Sequence, residues 1–153
     1  MTVFSMRSLP FSVPQMIDPS LETVRRYWVA LRREQNALPF ADDLNVEQLS
    51  QFASRLMVLD VRERPQRFRV AIVGKEIEVV FGEELADRFL DEIAEHSPLE
   101  YLDSQCCALM QSQTPTWFER RDANHSYERL LLPLWGNGYV STILAVYAWN
   151  ARD

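Results

Sequence analysis

Two cysteines and two histidines are the side chains of this sequence that could act as nucleophile, base or metal ligand. The cysteines are the neighbours Cys106 and Cys107, and the histidines are His96 and His125. A cysteine hydrolase would have to combine Cys107 with His125 and Asp122, but an Asp and a His three residues apart in a turn are a common pairing. No segment indicates an oxyanion hole. We therefore predict no catalytic residue and no enzymatic activity.

Metal, redox and phosphate chemistry are not predicted either. Two histidines that lie far apart in the sequence, without a Cys-x-x-Cys pair, do not match the ligand spacing of zinc sites. Cys107 falls inside a predicted helix within an acidic segment, where nothing would activate a thiol. The four glycines, at positions 74, 82, 136 and 138, do not form a phosphate-binding loop. We expect a chain without a metal.

Composition limits the classes of protein to consider. The chain has 153 residues, of which 47% are hydrophobic and 25% charged, and its net charge is −6. This size and composition fit one domain with its own core, and the negative charge disfavours nucleic-acid binding. No segment has the apolar run of a signal peptide or of a membrane span. A bridge between adjacent cysteines is strained, so we expect free thiols and a cytoplasmic location without membrane contact.

The N-terminal part is predicted to be an extended arm, residues 1–18, followed by an amphipathic helix over residues 19–35. Asp18 is a favourable cap, and Pro19 suits the first turn. One face of this helix is apolar and carries the candidate dimer-interface residues Leu21, Val24, Trp28 and Leu31. This face packs either on its own domain or on a second copy of the chain, and the sequence leaves both alternatives open.

The remaining chain alternates short helices with strands. Strands are predicted over 56–61, 68–73, 116–121, 127–134 and 139–149, and short helices over 45–54, 75–81, 85–93 and 98–111. Ser97, Pro98 and Glu100 form a capping box that predicts the start of the last helix. The fold class is therefore α+β: residues 19–153 form one domain, in which helices cross one face of a five-stranded antiparallel sheet.

The order and spacing of these elements resemble the PAS domain, and more narrowly a bacterial branch of short standalone PAS-like proteins. The segments that carry the resemblance are Tyr27-Trp28, Leu31-Arg32, Leu38-Pro39, Leu56 to Val61, Phe68 to Gly74, Phe81-Gly82 and Tyr127 to Pro133. The resemblance implies a sensory or regulatory module that acts through protein–protein contact with a signalling partner, and we expect a homodimer.

The resemblance also implies a pocket between the concave sheet face and the longer helix. The residues expected to line it are Phe68, Val70, Ile72, Phe81, Phe89, Tyr101, Cys106, Phe118 and Arg120. The ligand would be a small apolar molecule or, if Arg69 or Arg120 points inward, an acidic one. The alternative is that side chains fill this space, because protein cores are close-packed. The sequence does not decide which face each strand presents.

No cofactor is expected in this pocket. Heme-binding PAS domains tend to use a histidine within or near the longer helix. His96 is close to it, but the capping box places this residue before the helix and against Tyr101, and His125 falls in a polar loop. Flavin photosensors need a cysteine in an Asn-Cys-Arg setting, which this sequence does not contain.

The alternative function is a small enzyme on a cone-shaped α+β fold of the cyclase or isomerase kind. Such enzymes also enclose a pocket between a helix and a curved sheet, where they usually place a His–Asp or Tyr–Asp pair. We expect strand order to separate the two alternatives, with the first two strands in the centre of a PAS-like sheet.

Overall fold

The computed structural model describes residues 10–122 and 126–149, and its strands form one five-stranded antiparallel sheet. The strands are β1 (Leu56–Arg62), β2 (Arg67–Val73), β3 (Thr116–Arg120), β4 (Tyr127–Gly136) and β5 (Tyr139–Trp149). The helices are α1 (Pro19–Leu31), α2 (Lys75–Phe81) and α3 (Leu102–Ser112), with 3-10 helices at Ala41–Asp43, Val46–Arg55 and Leu90–Glu92. The predicted α+β class with a single sheet is confirmed. Residues 1–9 of the predicted arm lie outside the described residues.

The strand order is β2-β1-β5-β4-β3, so β5 lies in the centre and β2 at one edge. Our expectation that the first two strands are central was wrong. The β4–β5 hairpin supplies ten residue pairs of the sheet, and its turn has positive φ angles at Asn137 and Gly138, as a tight two-residue turn requires. This long hairpin places its last strand beside β1, which moves β2 outward.

The pairing of β1 with β2 contains a bulge. Leu59 pairs with Val70, whereas the preceding residue of β1, Val58, pairs with Ile72, so β2 has one extra residue, Ala71. An extra residue reverses the side-chain alternation. Ile72 is consequently 46% exposed, while Phe68 and Val70 are buried. The prediction that Ile72 shares their face was wrong.

Helix α1 packs on the outer face of its own sheet. Its side of the core contains Leu21, Val24 and Trp28 together with residues of the 3-10 helix at 46–55 and of β1, β4 and β5. The Asp18 carboxylate accepts from the Ser20 N–H at 2.8 Å and caps the helix, as predicted. The Trp28 indole N–H donates to the Pro133 carbonyl at 2.8 Å.

This packing decides between the two alternatives for the apolar face of α1. Leu21 and Val24 are 0% exposed and Trp28 is 5% exposed in the single chain. Of the four candidate dimer-interface residues, only Leu31 is half-buried. The face is used within the domain, so the expectation that it packs on a second copy is corrected.

Helix α1 is also shorter than predicted, since it ends at Leu31 and not at Gln35. Arg32 is already extended, with φ −64° and ψ 136°. Arg33 then turns away to form a bidentate ion pair with Asp43, with both distances 2.8 Å. Arg33, which makes this tertiary contact, lies within the range 19–35 that had been predicted as helix.

Chain segments cover both edges of the sheet. At the β3 edge, the Trp117 N–H donates to the Phe11 carbonyl at 2.9 Å, so the arm lies against this strand. At the β2 edge, the Asp87 N–H donates to the Val70 carbonyl at 2.7 Å, and the Val70 N–H donates to the Arg88 carbonyl at 2.8 Å. This pairing explains why the helix predicted over 85–93 is reduced to the short turn at 90–92.

Candidate functional site on the inner face of the sheet

Arg129 lies at the centre of the inner sheet face, opposite α3. The inner-facing positions of β4 alternate, and Tyr127, Arg129 and Leu131 are all 0% exposed. The Arg129 Nε donates to the Gln105 side-chain oxygen at 2.7 Å. Its terminal nitrogens donate to the carbonyl oxygens of Pro98 at 3.1 Å and Glu100 at 2.8 Å. These bonds connect the sheet to the segment that precedes α3.

The partners of Arg129 are all neutral acceptors. Among the described residues, no carboxylate forms an ion pair with its guanidinium, although the half-buried Arg67 and Arg69 each pair with acidic side chains. A buried charge is costly unless it is paired with an opposite charge or fully hydrogen-bonded. Arg129 is therefore held inside the domain by hydrogen bonds to all three guanidinium nitrogens, without an ion pair among the described residues.

Aromatic rings surround this guanidinium. Its central carbon lies 4.7 Å from the ring centroid of Phe118, 5.9 Å from that of Tyr127 and 5.8 Å from that of Tyr147. Such distances allow cation–π attraction. The Tyr147 hydroxyl also donates to the Pro98 carbonyl at 2.8 Å. The site thus combines a positive centre with three aromatic rings that are tilted against one another.

The Glu100 carboxylate lies next to this site and accepts hydrogen bonds from the hydroxyls of Tyr127 and Ser97. Burial raises the pKa of the Glu100 carboxyl, but hydrogen bonds from Ser97, Tyr127 and the backbone, together with the charge of Arg120, place it below its usual value. Burial raises the pKa of the Tyr127 hydroxyl. Glu100 is therefore an acceptor and Tyr127 a donor near neutral pH.

Helix α3 begins at Leu102, four residues later than the capping box predicted. Its N-cap is Tyr101, which has a left-handed backbone with φ 59° and ψ 16°. In a helix that began at Pro98, the carbonyls of Pro98 and Glu100 would accept from N–H groups four residues later. Both carbonyls accept from Arg129 instead. Tertiary hydrogen bonding therefore overrides the local capping signal.

Five of the nine predicted pocket residues belong to the inner core. Phe68, Val70, Phe81 and Cys106 are buried there, and the half-buried Phe118 packs against them. Further buried side chains fill the same cluster, among them Met57, Leu59, Leu102, Leu109 and Ile143. These residues belong to one buried apolar cluster on the inner face of the sheet.

The other predicted pocket residues are more peripheral. Phe89 lies at the β2 edge, with its ring under the guanidinium of Arg67 at 3.9 Å. Tyr101 is 54% exposed. The Arg120 side chain is half-exposed, and its Nε is 3.9 Å from the Glu100 carboxylate. Ile72 lies on the other side of the sheet, as described above.

Arg69 does not point into the inner core either. Its guanidinium forms ion pairs with the carboxylates of Asp60 and Asp87. Asp60 pairs directly with Arg69 across β1 and β2. The arginine that reaches the inner face is therefore neither of the two that the sequence had suggested.

The two thiols and His96 take part in packing. Cys106 is buried in the inner core, and burial raises the pKa of its thiol well above the usual value. Burial also raises the pKa of Cys107. The ring of His96 stacks on Phe81, with centroids 4.2 Å apart, and not on Tyr101 as expected. His125 lies outside the described residues.

Arg129 and Gln105 were missed by the sequence reasoning. A signal existed, because strand alternation places Arg129 on the same face as Tyr127 and Leu131. It could not be used while the inward face of β4 was unknown. Gln105 is on the same face of α3 as Leu102 and Leu109, and its amide nitrogen also donates to the Thr116 hydroxyl at 3.2 Å.

Within residues 10–122 and 126–149, no three His, Cys, Asp or Glu side chains are grouped as metal ligands. In the same part of the chain, none of the helices has the length and apolar character needed to cross a bilayer.

Comparison with known proteins identifies the family of the chain. A family model described as the PAS domain matches residues 16–147, which is most of the chain. No curated protein and no solved structure matches the chain. The matched range contains the five strands, except the end of β5, and every residue around Arg129 that is named above.

Proposed function

This chain belongs to the PAS domain family, and from that premise we propose that it is a regulatory module that binds a small acidic ligand at Arg129 and signals to a partner protein by contact. PAS domains are in general sensory or regulatory modules, and the proposal adds the class of ligand and the residue that recognises it. The observation that carries it is the full burial of Arg129 with only neutral hydrogen-bond partners.

A carboxylate is the ligand group that best fits this side chain. The guanidinium presents parallel N–H donors in a planar fork, which matches the two oxygens of a carboxylate. An anion would also compensate a charge that the described residues leave without an ion pair. The rings of Phe118, Tyr127 and Tyr147 would contact the apolar body of such a ligand.

Access to Arg129 requires a change in the segment before α3. The carbonyls of Pro98 and Glu100 occupy the terminal nitrogens of the guanidinium. A ligand carboxylate would replace these two acceptors and would leave the bond between Nε and Gln105 in place. Binding therefore couples the inner site to a segment whose end, Tyr101, is exposed.

Acetate, benzoate and succinate, with their methyl esters as uncharged counterparts, test the proposed ligand class. We expect at least one carboxylate, but no ester, to raise the melting temperature and to bind in calorimetry, because only the native state contains the site. Arg129→Met should abolish both effects. Arg26→Met is the matched control, since Arg26 lies on α1 with a side chain that is 77% exposed. Binding that survives in Arg129→Met would contradict this function.

The proposal includes no catalysis. The absence of catalysis is supported by the raised pKa of both thiols, which keeps them protonated and weakly nucleophilic near neutral pH.

We also propose that the module works in the cytoplasm, as a homodimer or with another protein. The exposed apolar side chains of Ile72 and Val79 favour such contacts more than the buried face of α1 does. Light scattering of purified protein tests the oligomeric state.

A further inference from the structure

We infer that residues 97–101 form a two-state segment, which Arg129 holds as a loop in this structure and which adds a turn to α3 when the guanidinium takes another acceptor. The nature of the trigger, a ligand carboxylate, rests on the proposed function. The existence of the two states rests on the contacts of the segment itself.

Three hydrogen bonds from side chains of the sheet hold the backbone carbonyls of the loop state. Arg129 donates to the carbonyls of Pro98 and Glu100, and Tyr147 donates to the same Pro98 carbonyl. All three donors belong to side chains that are 0% exposed. The loop state therefore depends on β4 and β5, which are distant in sequence, in addition to local bonds within residues 96–102.

The local sequence encodes the other state. Ser97 is a favoured N-cap, Pro98 is favoured in the first turn, and Glu100 is at the third position of a capping box. In the added turn, the carbonyls of Pro98 and Glu100 would accept from the N–H groups of Leu102 and Ser104. Release from Arg129 thus leaves no backbone acceptor without a partner.

Tyr101 forms the joint between the loop and α3. Its left-handed backbone, with φ 59° and ψ 16°, is unfavourable for a residue with a Cβ and would be replaced by a helical one. Its side chain is 54% exposed, and its ring lies 5.8 Å from that of Phe118. Phe118 in turn lies over Arg129 at 4.7 Å. A change of state at Arg129 would therefore move an aromatic side chain on the surface, where a partner protein can detect it.

Nuclear magnetic resonance of the ligand-free protein tests this inference without any ligand. Tyr101→Gly favours the loop state, because glycine adopts the left-handed region without cost, whereas Tyr101→Ala disfavours it. Both variants leave the core unchanged, since the side chain is exposed. We expect the helical state to be about fivefold more populated in Tyr101→Ala than in Tyr101→Gly. Relaxation dispersion at Leu102, Asp103 and Ser104 should then be present in Tyr101→Ala and reduced or absent in Tyr101→Gly.

Arg129→Met provides the second measurement. We expect its Cα chemical shifts to show a helix that begins at Pro98, with Asp103 and Ser104 amides that exchange with solvent at least about tenfold more slowly than in the wild type. A folded Arg129→Met whose helix still begins at Leu102 would overturn the inference. If Arg129→Met does not fold, the comparison of Tyr101→Gly with Tyr101→Ala is the test. Equal relaxation dispersion in these two variants overturns the inference.

The two proposals fail separately. Carboxylate binding without any change at 98–104 contradicts the two-state segment and leaves the proposed function intact. An added turn in Arg129→Met, together with no binding of any carboxylate tested, contradicts the ligand class and leaves the two-state segment intact.

Discussion

Arg129 and Tyr147 share one acceptor, the carbonyl oxygen of Pro98, at 3.1 Å and 2.8 Å. The two donors come from adjacent strands, β4 and β5, whose residues Arg129 and Tyr147 are direct cross-strand partners. Two neighbouring side chains therefore hold one point of the segment before α3. If one donor is removed, the other still satisfies the carbonyl.

The shared acceptor predicts a modest effect of Tyr147→Phe. The carbonyl of Pro98 keeps its bond from Arg129, so we expect the free energy of unfolding to fall by about 1 kcal/mol. Urea denaturation measures this loss. Tyr139→Phe is the control, because the Tyr139 hydroxyl makes no hydrogen bond among the described residues, and it should change stability little. A loss from Tyr147→Phe as large as about 3 kcal/mol would show that Arg129 does not satisfy the carbonyl.

The lowered pKa of Glu100 predicts a pH dependence of stability. A carboxyl whose pKa is lower in the folded state stabilises the fold above its usual pKa, and this contribution is lost as pH falls through the folded value. Glu100→Gln should cost about 1 kcal/mol at pH 7, and the difference from the wild type should shrink below about pH 4.5. Asp43 and Asp91 also have lowered pKa values, beside Arg33 and Arg67, and lose their contributions in both proteins. A difference that stays constant with pH would contradict the assignment.

The packing of α1 predicts that Trp28 acts in folding and not in association. Trp28→Phe removes the hydrogen bond to Pro133 and leaves a small cavity, so we expect a loss of about 2 kcal/mol in the free energy of unfolding. Light scattering should give the same oligomeric state as for the wild type. Val29→Ala on the exposed side of α1 is the control and should change neither quantity. Dissociation of an oligomer by Trp28→Phe, without loss of stability, would restore the dimer interpretation of this face.

The bulge in β2 predicts that substitutions at two nearby apolar positions have very different effects on stability. Val70→Ala should cost about 2 kcal/mol because Val70 is 0% exposed in the inner core. Ile72→Ser should change the free energy of unfolding by less than about 0.5 kcal/mol, since this side chain is 46% exposed. Denaturation of both variants checks the register. Similar large losses would place Ile72 in the core and contradict the bulge.

The sequence was sufficient to predict the strands and α2, because their signals are local. Dense runs of apolar residues indicate β1 and β4, and Gly82, with φ 98°, ends α2 where a positive φ is needed. The match to the PAS domain family agrees with the resemblance that these elements suggested.

The features that the sequence did not predict depend on contacts between residues that are distant in sequence. The start of α3 was mispredicted because Arg129, about thirty residues later, takes the carbonyls that a first turn would use. The end of α1 was mispredicted because Arg33 pairs with Asp43. The position of Ile72 depends on a bulge for which its own strand gives no signal. In the candidate site, the apolar residues were predicted and the central charge was not, because a one-residue uncertainty in register reverses the face of every side chain.

The coverage of both sheet edges has a consequence for how the protein behaves at high concentration. A bare outer strand presents a row of unpaired amide and carbonyl groups on which further chains can assemble into fibrils. In this protein Phe11 occupies the Trp117 amide on one side, and the segment around Arg88 occupies Val70 on the other. Strand addition at these positions therefore has to begin with detachment of the segment that occupies them, and this requirement disfavours fibril growth from the native state.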